Sequence, residues 1–95
     1  MKKYFDPEQQ ISSKSFRFSI RVVNLYKFLR FTKHEFVISN QLLRAGTSIG
    51  SNTAESEHAQ SKADFMSKLS IALKEADETR YWLRLLEATD YLTKE

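Results

Sequence analysis

Two carboxylates three residues apart are the part of this sequence that most resembles a catalytic arrangement. Glu75 and Glu78 would share one face of a helix, where paired carboxylates can act as general acid and general base. The sequence offers no nucleophile or second base near them, whereas arginines are available. We therefore predict no enzyme, but a structural ion pair of Arg44 with Glu75 or Glu78, worth about 0.2–1 kcal/mol if exposed. The alternative partners are Arg80 and Arg84.

A second pattern, Glu-Ser-Glu-His at 55–58, matches half of the Glu-x-x-His motif of di-iron helical bundles. Such a site needs a second copy of the motif, but the only other histidine, His34, has Phe31 three positions before it. The absence of cysteine also removes thiolate nucleophiles and cysteine-based zinc sites. We predict a polar connection at 55–61 and no metal, cofactor or small-molecule substrate.

Two glycines four residues apart, Gly46 and Gly50, raise the question of a phosphate-binding loop. A Walker loop requires a lysine directly after its last glycine, but Ser51 and Asn52 follow here, within a helical pattern. A membrane dimerisation motif is also disfavoured, because Arg44 and Asn52 flank the pair. We predict that these small residues let another helix approach closely, although each glycine costs a helix about 1 kcal/mol relative to alanine.

The composition indicates one small helical domain. Of the 95 residues, 41% are hydrophobic and only 2 are Gly and 1 is Pro, which disfavours a turn-rich β fold. The N-terminal residues lack the apolar segment of a signal peptide, and no apolar run approaches the roughly 20 residues that span a bilayer. We expect a cytoplasmic protein without membrane contact, with a mobile N-terminal arm at 1–11 and one helical-bundle domain at 12–95.

Positive charge is concentrated in the first third of the chain. Residues 1–34 hold eight basic and two acidic residues, a net charge of +6, whereas residues 35–95 hold seven basic and ten acidic residues, a net charge of −3. This asymmetry predicts a basic face that contacts the phosphates of RNA or DNA without sequence preference. The competing interpretation is a solvated helix surface that only keeps the protein soluble. The candidate nucleic-acid-binding residues are Lys14, Arg17, Arg21, Lys27, Arg30 and Lys33.

Hydrophobic periodicity predicts a first helix that begins near Ser13 or Ser15 and ends near Phe31. The stripe assigned to the core has 4-3-4 spacing and consists of Phe18, Val22, Leu25 and Leu29. A second apolar stripe lies roughly opposite, and the third helix carries one too, so we predict a homo-oligomer whose subunits cover them. The candidate interface residues are Phe16, Ile20, Val23, Trp82 and Leu85.

Two further helices are predicted from N-terminal capping patterns and, for the third helix, from the regular spacing of its apolar residues. Thr32 and Glu35 have the spacing of a capping box and predict the start of the second helix, which should end or loosen after Asn52. Ser61 and Asp64 predict the cap of the third helix, whose pattern continues to about residue 89. Its seam has nearly four heptads: Phe65, Leu69, Ala72, Ala76, Thr79, Leu83 and Leu86.

Two blocks of the sequence resemble a bacterial protein family. They are Gln-Leu-Leu-Arg-Ala-Gly-Thr-Ser-Ile-Gly at 41–50, and Lys-Leu-Ser-Ile-Ala-Leu-Lys-Glu-Ala at 68–76 with Glu-Thr-Arg-Tyr-Trp-Leu at 78–83. Over roughly residues 15–92 the chain is similar to the four-helix-bundle proteins encoded by intervening sequences of 23S ribosomal RNA genes. Ser51, Thr53 and Ser56 replace the Ala, Ile and Ala that are more usual in that family.

The resemblance implies an all-α, up-down bundle that assembles into a ring, typically a pentamer. Members carry a fourth helix after the position that matches Thr93, so we expect that helix to be missing from this chain. The family is related to the accessory variability determinant of diversity-generating retroelements, a basic ring that works with a reverse transcriptase and nucleic acid.

The leading prediction is therefore a non-enzymatic homo-oligomer that binds RNA or DNA non-specifically through its basic first helix. The alternative is a protein–protein interaction scaffold that binds no nucleic acid. Salt-dependent binding to RNA or DNA distinguishes the two.

Overall fold

Three α-helices make up the part of the chain that the computed structural model describes, residues 11–93. They are α1 (Ile11–Phe31), α2 (Ile38–Ser56) and α3 (Lys62–Ala88), and these residues contain no strand. Short connections join successive helices, as in an up-down helical bundle. The predicted all-α class is confirmed. None of the three helices is long and apolar enough to cross a membrane.

The middle helix, α2, packs against both of its neighbours. No Cα atom of α1 comes within 8 Å of a Cα atom of α3, so these two helices face each other across a groove. The groove has a volume of about 470 Å³ and is lined by Phe18, Arg21, Val22, Leu25, Leu83, Leu92 and Thr93.

The core lies where the inner stripes of the three helices meet. Phe18 and Leu25, two members of the stripe predicted on α1, are half-buried against it. The buried apolar cluster itself consists of Val22, Leu29, Leu42 and Leu86. Burial of one such side chain contributes about 1.5–3 kcal/mol to folding. The periodicity therefore predicted the inner face of α1 correctly.

Gly46 and Gly50 allow α2 to lie unusually close to α1. A Cβ atom at Gly46 would lie 2.8 Å from both Val22 methyl carbons, and one at Gly50 would lie 2.7 Å from the Ser19 Oγ. Contacting carbon atoms are normally about 3.5–4.0 Å apart, so even a methyl group requires the facing Val22 or Ser19 side chain, or α1 itself, to shift. Both glycines lie within α2, and the close-packing interpretation is confirmed.

The connection between α1 and α2 differs from the prediction that Thr32 starts the second helix. The Thr32 N–H donates to the Phe28 carbonyl at 2.9 Å, so Thr32 completes the last turn of α1 instead. His34 then adopts a left-handed backbone conformation with φ of 58°, which is incompatible with a continuous helix. As a result α2 begins only at Ile38.

Glu35 nevertheless caps α2, from a position outside the helix. Its side chain is buried, and its carboxylate accepts hydrogen bonds from the N–H groups of Val37, Ile38 and Ser39 at 3.3, 2.8 and 2.6 Å. These are backbone donors at the start of α2 that have no partner within the helix. The predicted capping box was therefore wrong, because Thr32 belongs to the end of α1 and Glu35 itself caps α2 from outside the helix.

The predicted end of α2, after Asn52, was four residues too early, because α2 continues to Ser56. The buried Thr53 and Ser56 hydroxyls donate to the Gly50 and Thr53 carbonyls at 3.0 and 2.7 Å. Their polar atoms are therefore satisfied within the helix, and the two residues can occupy a buried seam.

The outer ends of the bundle are partly as predicted. α1 already includes Ile11, so the predicted start near Ser13 or Ser15 was wrong, and the rest of the predicted arm lies outside the described residues. The cap of α3 is confirmed, because the Ser61 Oγ accepts a hydrogen bond from the Asp64 N–H at 3.0 Å.

Candidate nucleic-acid interface

The paired carboxylates of α3 connect this helix to α2. Arg44 of α2 places its Nη1 atom 3.3 Å from Glu75 Oε1, and its Nη2 atom donates to Glu78 Oε2. The Trp82 indole N–H also donates to Glu78 Oε2, at 3.1 Å. The structure therefore brings together the three residues predicted as an ion pair, and both carboxylates face an arginine of the neighbouring helix.

The Glu-x-x-His segment is at the end of α2. Glu55 forms an ion pair with the Lys68 Nζ of α3 at 3.3 Å, and His58 is exposed in the connection that follows. Within residues 11–93, no group of three or more histidine, aspartate or glutamate side chains could hold a metal ion. The segment therefore contributes to contact between helices in the described part of the chain.

The first helix carries the positive charge. α1 contains five basic residues and no acidic residue among its 21. Lys33, the sixth candidate residue, is exposed just after the helix, and Arg30 is half-buried at its end. The remaining four candidates are exposed: Lys14, Arg17, Arg21 and Lys27.

The six basic residues divide into two groups rather than forming one stripe. At about 100° per residue, Lys14, Arg17 and Arg21 share one flank of α1, and we call them the flank group. Arg21 borders the groove towards α3. The corner group, Lys27, Arg30 and Lys33, lies at the other end of α1, where the chain turns into α2.

Sequence analysis missed the three phenylalanines around the corner group. Phe28, Phe31 and Phe36 are 42%, 68% and 48% exposed. The Arg30 Cζ lies 5.9 Å from the ring centre of Phe31 and 5.1 Å from that of Phe36. The Lys33 Nζ lies 5.8 Å from the ring centre of Phe28. The available signal was the alternation of basic and aromatic residues along this stretch.

The candidate interface residues lie on two separate helices. Phe16 and Ile20 of α1 are 66% and 47% exposed, and with the half-buried Val23 they line a depression of about 340 Å³. On α3, Trp82 packs against the core cluster, whereas Leu85 borders a different depression. The structure therefore leaves the α1 residues more open to a partner than Trp82.

The described residues thus define a small all-α protein with a basic first helix and a bundle of three helices. A family model for the 23S rRNA-intervening sequence proteins matches residues 7–95, and the chain belongs to that family. The resemblance identified from the two sequence blocks is therefore confirmed.

A solved structure with the same fold is the crystal structure of a protein of unknown function from the S23 ribosomal protein family of Bacteroides thetaiotaomicron VPI-5482. The two proteins are 60% identical, with a TM-score of 0.86, over 87% of this chain and 74% of that chain. No protein with a curated description matches the chain. These matches establish family and fold, and they describe no catalytic activity.

Proposed function

We propose that this protein is a non-enzymatic homo-oligomer that binds RNA or DNA without sequence preference through the basic face of α1. The observation that carries the proposal is the composition of α1, which has five basic residues and no acidic one. The flank group is exposed over two turns of this helix. Cationic side chains placed in this way neutralise phosphates and release counterions, which favours any nucleic-acid backbone.

Self-association is part of the same proposal. Phe16 and Ile20 are exposed on the outer side of α1, and a second copy of the chain would remove them from water. The resemblance implies a ring, typically a pentamer. A ring repeats the basic helix in each subunit and so increases the density of positive charge that a polyanion meets.

We also propose that a fourth helix, supplied from outside the described residues, covers the groove between α1 and α3, because the family resemblance implies a four-helix bundle. The groove is largely apolar, with Leu25 on one side and Leu83 and Leu92 on the other. A helix in this position would convert the open three-helix arrangement into a four-helix bundle.

A cytoplasmic location follows from the proposed ligand, because bacterial RNA and DNA are in the cytoplasm. The proposed role requires no catalytic group, cofactor or metal.

The test is a binding titration with charge-reversal variants. Arg17→Glu with Arg21→Glu should weaken binding to RNA and DNA of every sequence at low salt, because two phosphate contacts become repulsive. Binding is measured by fluorescence anisotropy, and circular dichroism checks that the helices are retained. The matched control is Arg80→Glu with Arg84→Glu, which makes the same charge change on exposed positions of α3. Equal weakening by both variants would contradict a specific role of α1.

The second candidate function, a protein–protein interaction scaffold, is favoured by the exposed Phe16 and Ile20. The scaffold function predicts that tens of micromolar wild-type protein do not shift the mobility of RNA or DNA in a gel at low salt. Such a result would reject nucleic-acid binding and leave the scaffold function as the better explanation.

A further inference from the structure

We infer that the corner between α1 and α2 binds unpaired nucleotides, whose bases stack on exposed phenylalanine rings while basic side chains hold the phosphates. The inference rests on the proposed function and adds the class of nucleic acid, single strands in preference to duplexes. The corner surface consists of Lys27, Phe28, Arg30, Phe31, Lys33 and Phe36.

The first observation is the exposure of three aromatic rings within nine residues. Phe28 and Phe31 belong to the last turn of α1, and Phe36 belongs to the connection that follows. All three are exposed to solvent, although phenylalanine is among the residues most often buried in folded proteins. Three exposed large apolar side chains this close in sequence are a candidate binding surface.

The second observation is the position of the cations. The Arg30 guanidinium lies within 6 Å of the ring centres of both Phe31 and Phe36, at 5.9 and 5.1 Å. The Arg30 guanidinium is therefore close both to the Phe31 ring on α1 and to the Phe36 ring on the segment between α1 and α2. Lys33 takes a similar position at Phe28. A cation therefore lies over each ring within 6 Å of its centre, so positive charge is available to the phosphate of a base that stacks at this corner.

The third observation is the scarcity of acidic residues along α1, the corner and α2. Glu35 is the only acidic residue between positions 9 and 54. Its carboxylate is buried and accepts hydrogen bonds from Ile38 and Ser39 at the start of α2. The same hydrogen bonds hold the backbone on the α2 side of Phe36 in place before a ligand arrives.

Aromatic rings interleaved with basic groups are the combination that single-stranded nucleic acids require. Each base presents a flat face for stacking, and the tolerance of stacking to base identity agrees with binding that lacks sequence preference. A duplex hides its base faces within the stack, so at this corner it gains only phosphate contacts. The flank group continues the positive charge along α1, which suits an extended backbone better than a single ligand group.

The experiment compares two ligands at the same low salt, a fluorescein-labelled 20-mer of deoxythymidine and a mixed-sequence 20-base-pair duplex. The variant is Phe31→Ala with Phe36→Ala, which removes stacking and leaves every charge unchanged. We expect about a tenfold loss of affinity for the single strand and less than a twofold change for the duplex. The matched control is Phe65→Ala with Met66→Ala, which removes exposed apolar side chains from α3 and should change neither affinity.

A spectroscopic measurement supplements the affinities. Phe31→Trp places an indole at the corner, and its fluorescence should be quenched by the single strand and not by the duplex. Trp82 is the only tryptophan of the wild-type protein, so the fluorescence of the wild type gives the background signal.

The results separate this inference from the proposed function. If the wild-type protein binds neither ligand, the proposed function fails. If it binds both and the alanine variant retains its affinity for the single strand, nucleic-acid binding remains but the stacking inference is overturned. Dissociation of the oligomer by the alanine variant, measured by light scattering, overturns it in favour of a protein–protein surface. Binding of wild-type protein to phosphatidylserine vesicles and not to the single strand overturns it in favour of a membrane surface.

Discussion

At the scale of single residues, Glu35 illustrates how one side chain fixes the junction between α1 and α2. Its buried carboxylate accepts hydrogen bonds from three backbone N–H groups, those of Val37, Ile38 and Ser39. The Ser39 hydroxyl returns a hydrogen bond to the Glu35 carbonyl at 2.7 Å. Glu35 therefore positions both the start of α2 and the connection that carries Phe36.

We predict that Glu35→Ala lowers the free energy of unfolding by about 0.5–2 kcal/mol, as measured by urea denaturation. The substitution leaves the first N–H groups of α2 without an acceptor in a buried position. Glu35→Gln keeps one acceptor oxygen and should be less destabilising than Glu35→Ala. Asp77→Ala, which removes an exposed carboxylate from α3, is the control and should have little effect. Equal stability of Glu35→Ala and wild type contradicts this account of the cap.

Single residues also show which features of the structure could be predicted from residue types alone and which could not. The association of Arg44 with Glu75 and Glu78 followed from the placement of three charges on two neighbouring amphipathic helices, and the structure places them together. The corner aromatics were missed because Phe28 and Phe31 belong to neither of the two apolar stripes that periodicity identified on the first helix. Their exposure depends on where α1 ends relative to α2, which local sequence does not determine.

At the scale of helices, the contact between α1 and α2 depends on the absence of side chains at two positions. Gly46 faces the Val22 methyl groups, and Gly50 faces the Ser19 Oγ and the Ser15 carbonyl. The Ser19 hydroxyl itself donates to that carbonyl at 3.0 Å, so polar groups here are satisfied within α1. Close approach of the helices in this region requires small residues on α2.

We predict that Gly46→Leu destabilises the protein by about 1–3 kcal/mol, because the new side chain overpacks the space occupied by Val22. Gly46→Ala should also destabilise, since its Cβ alone lies 2.8 Å from both Val22 methyl carbons. Adding Val22→Ala to Gly46→Ala should recover part of that stability, which a double-mutant cycle measures. An unchanged thermal melt of Gly46→Leu would count against the packing interpretation.

Helix boundaries were predicted less well than helix faces, for reasons visible in particular residues. The capping spacing of Thr32 and Glu35 was recognised, but the left-handed His34 between them separates the end of α1 from the start of α2. The polar residues at 55–61 suggested a connection and an early end to α2, yet α2 includes Thr53 and Ser56, whose hydroxyls bond to carbonyls of the preceding turn. Both errors arise from side chain–backbone hydrogen bonds, which compete with or support a helix depending on tertiary context.

At the scale of the whole molecule, the described helices leave two apolar surfaces uncovered besides the corner surface. One is the groove between α1 and α3, and the other is the outer side of α1 around Phe16 and Ile20. Exposed apolar patches of this kind are uncommon in monomers and favour association. The oligomer and the fourth helix of the proposed function each cover one of these surfaces.

We predict that the wild-type protein is a homo-oligomer at micromolar concentration in light scattering, and that Phe16→Glu with Ile20→Glu shifts it towards the monomer. The substitutions place charges in a surface that would be desolvated on association. Met66→Glu with Leu73→Glu alters exposed residues of α3 and is the control, which should leave the mass unchanged. A well-folded wild-type monomer at this concentration contradicts the proposed assembly.

The central claim, binding of nucleic acid by the basic first helix, is tested most directly by the salt dependence of affinity. Wild-type binding to RNA should weaken as salt rises, with a linear decrease of log affinity against log salt concentration. Replacing Arg17 and Arg21 by glutamate should make that slope shallower by about 0.7–0.9 for each phosphate that the protein no longer neutralises. An affinity that does not change with salt, or a slope that the two substitutions leave unchanged, would contradict the account.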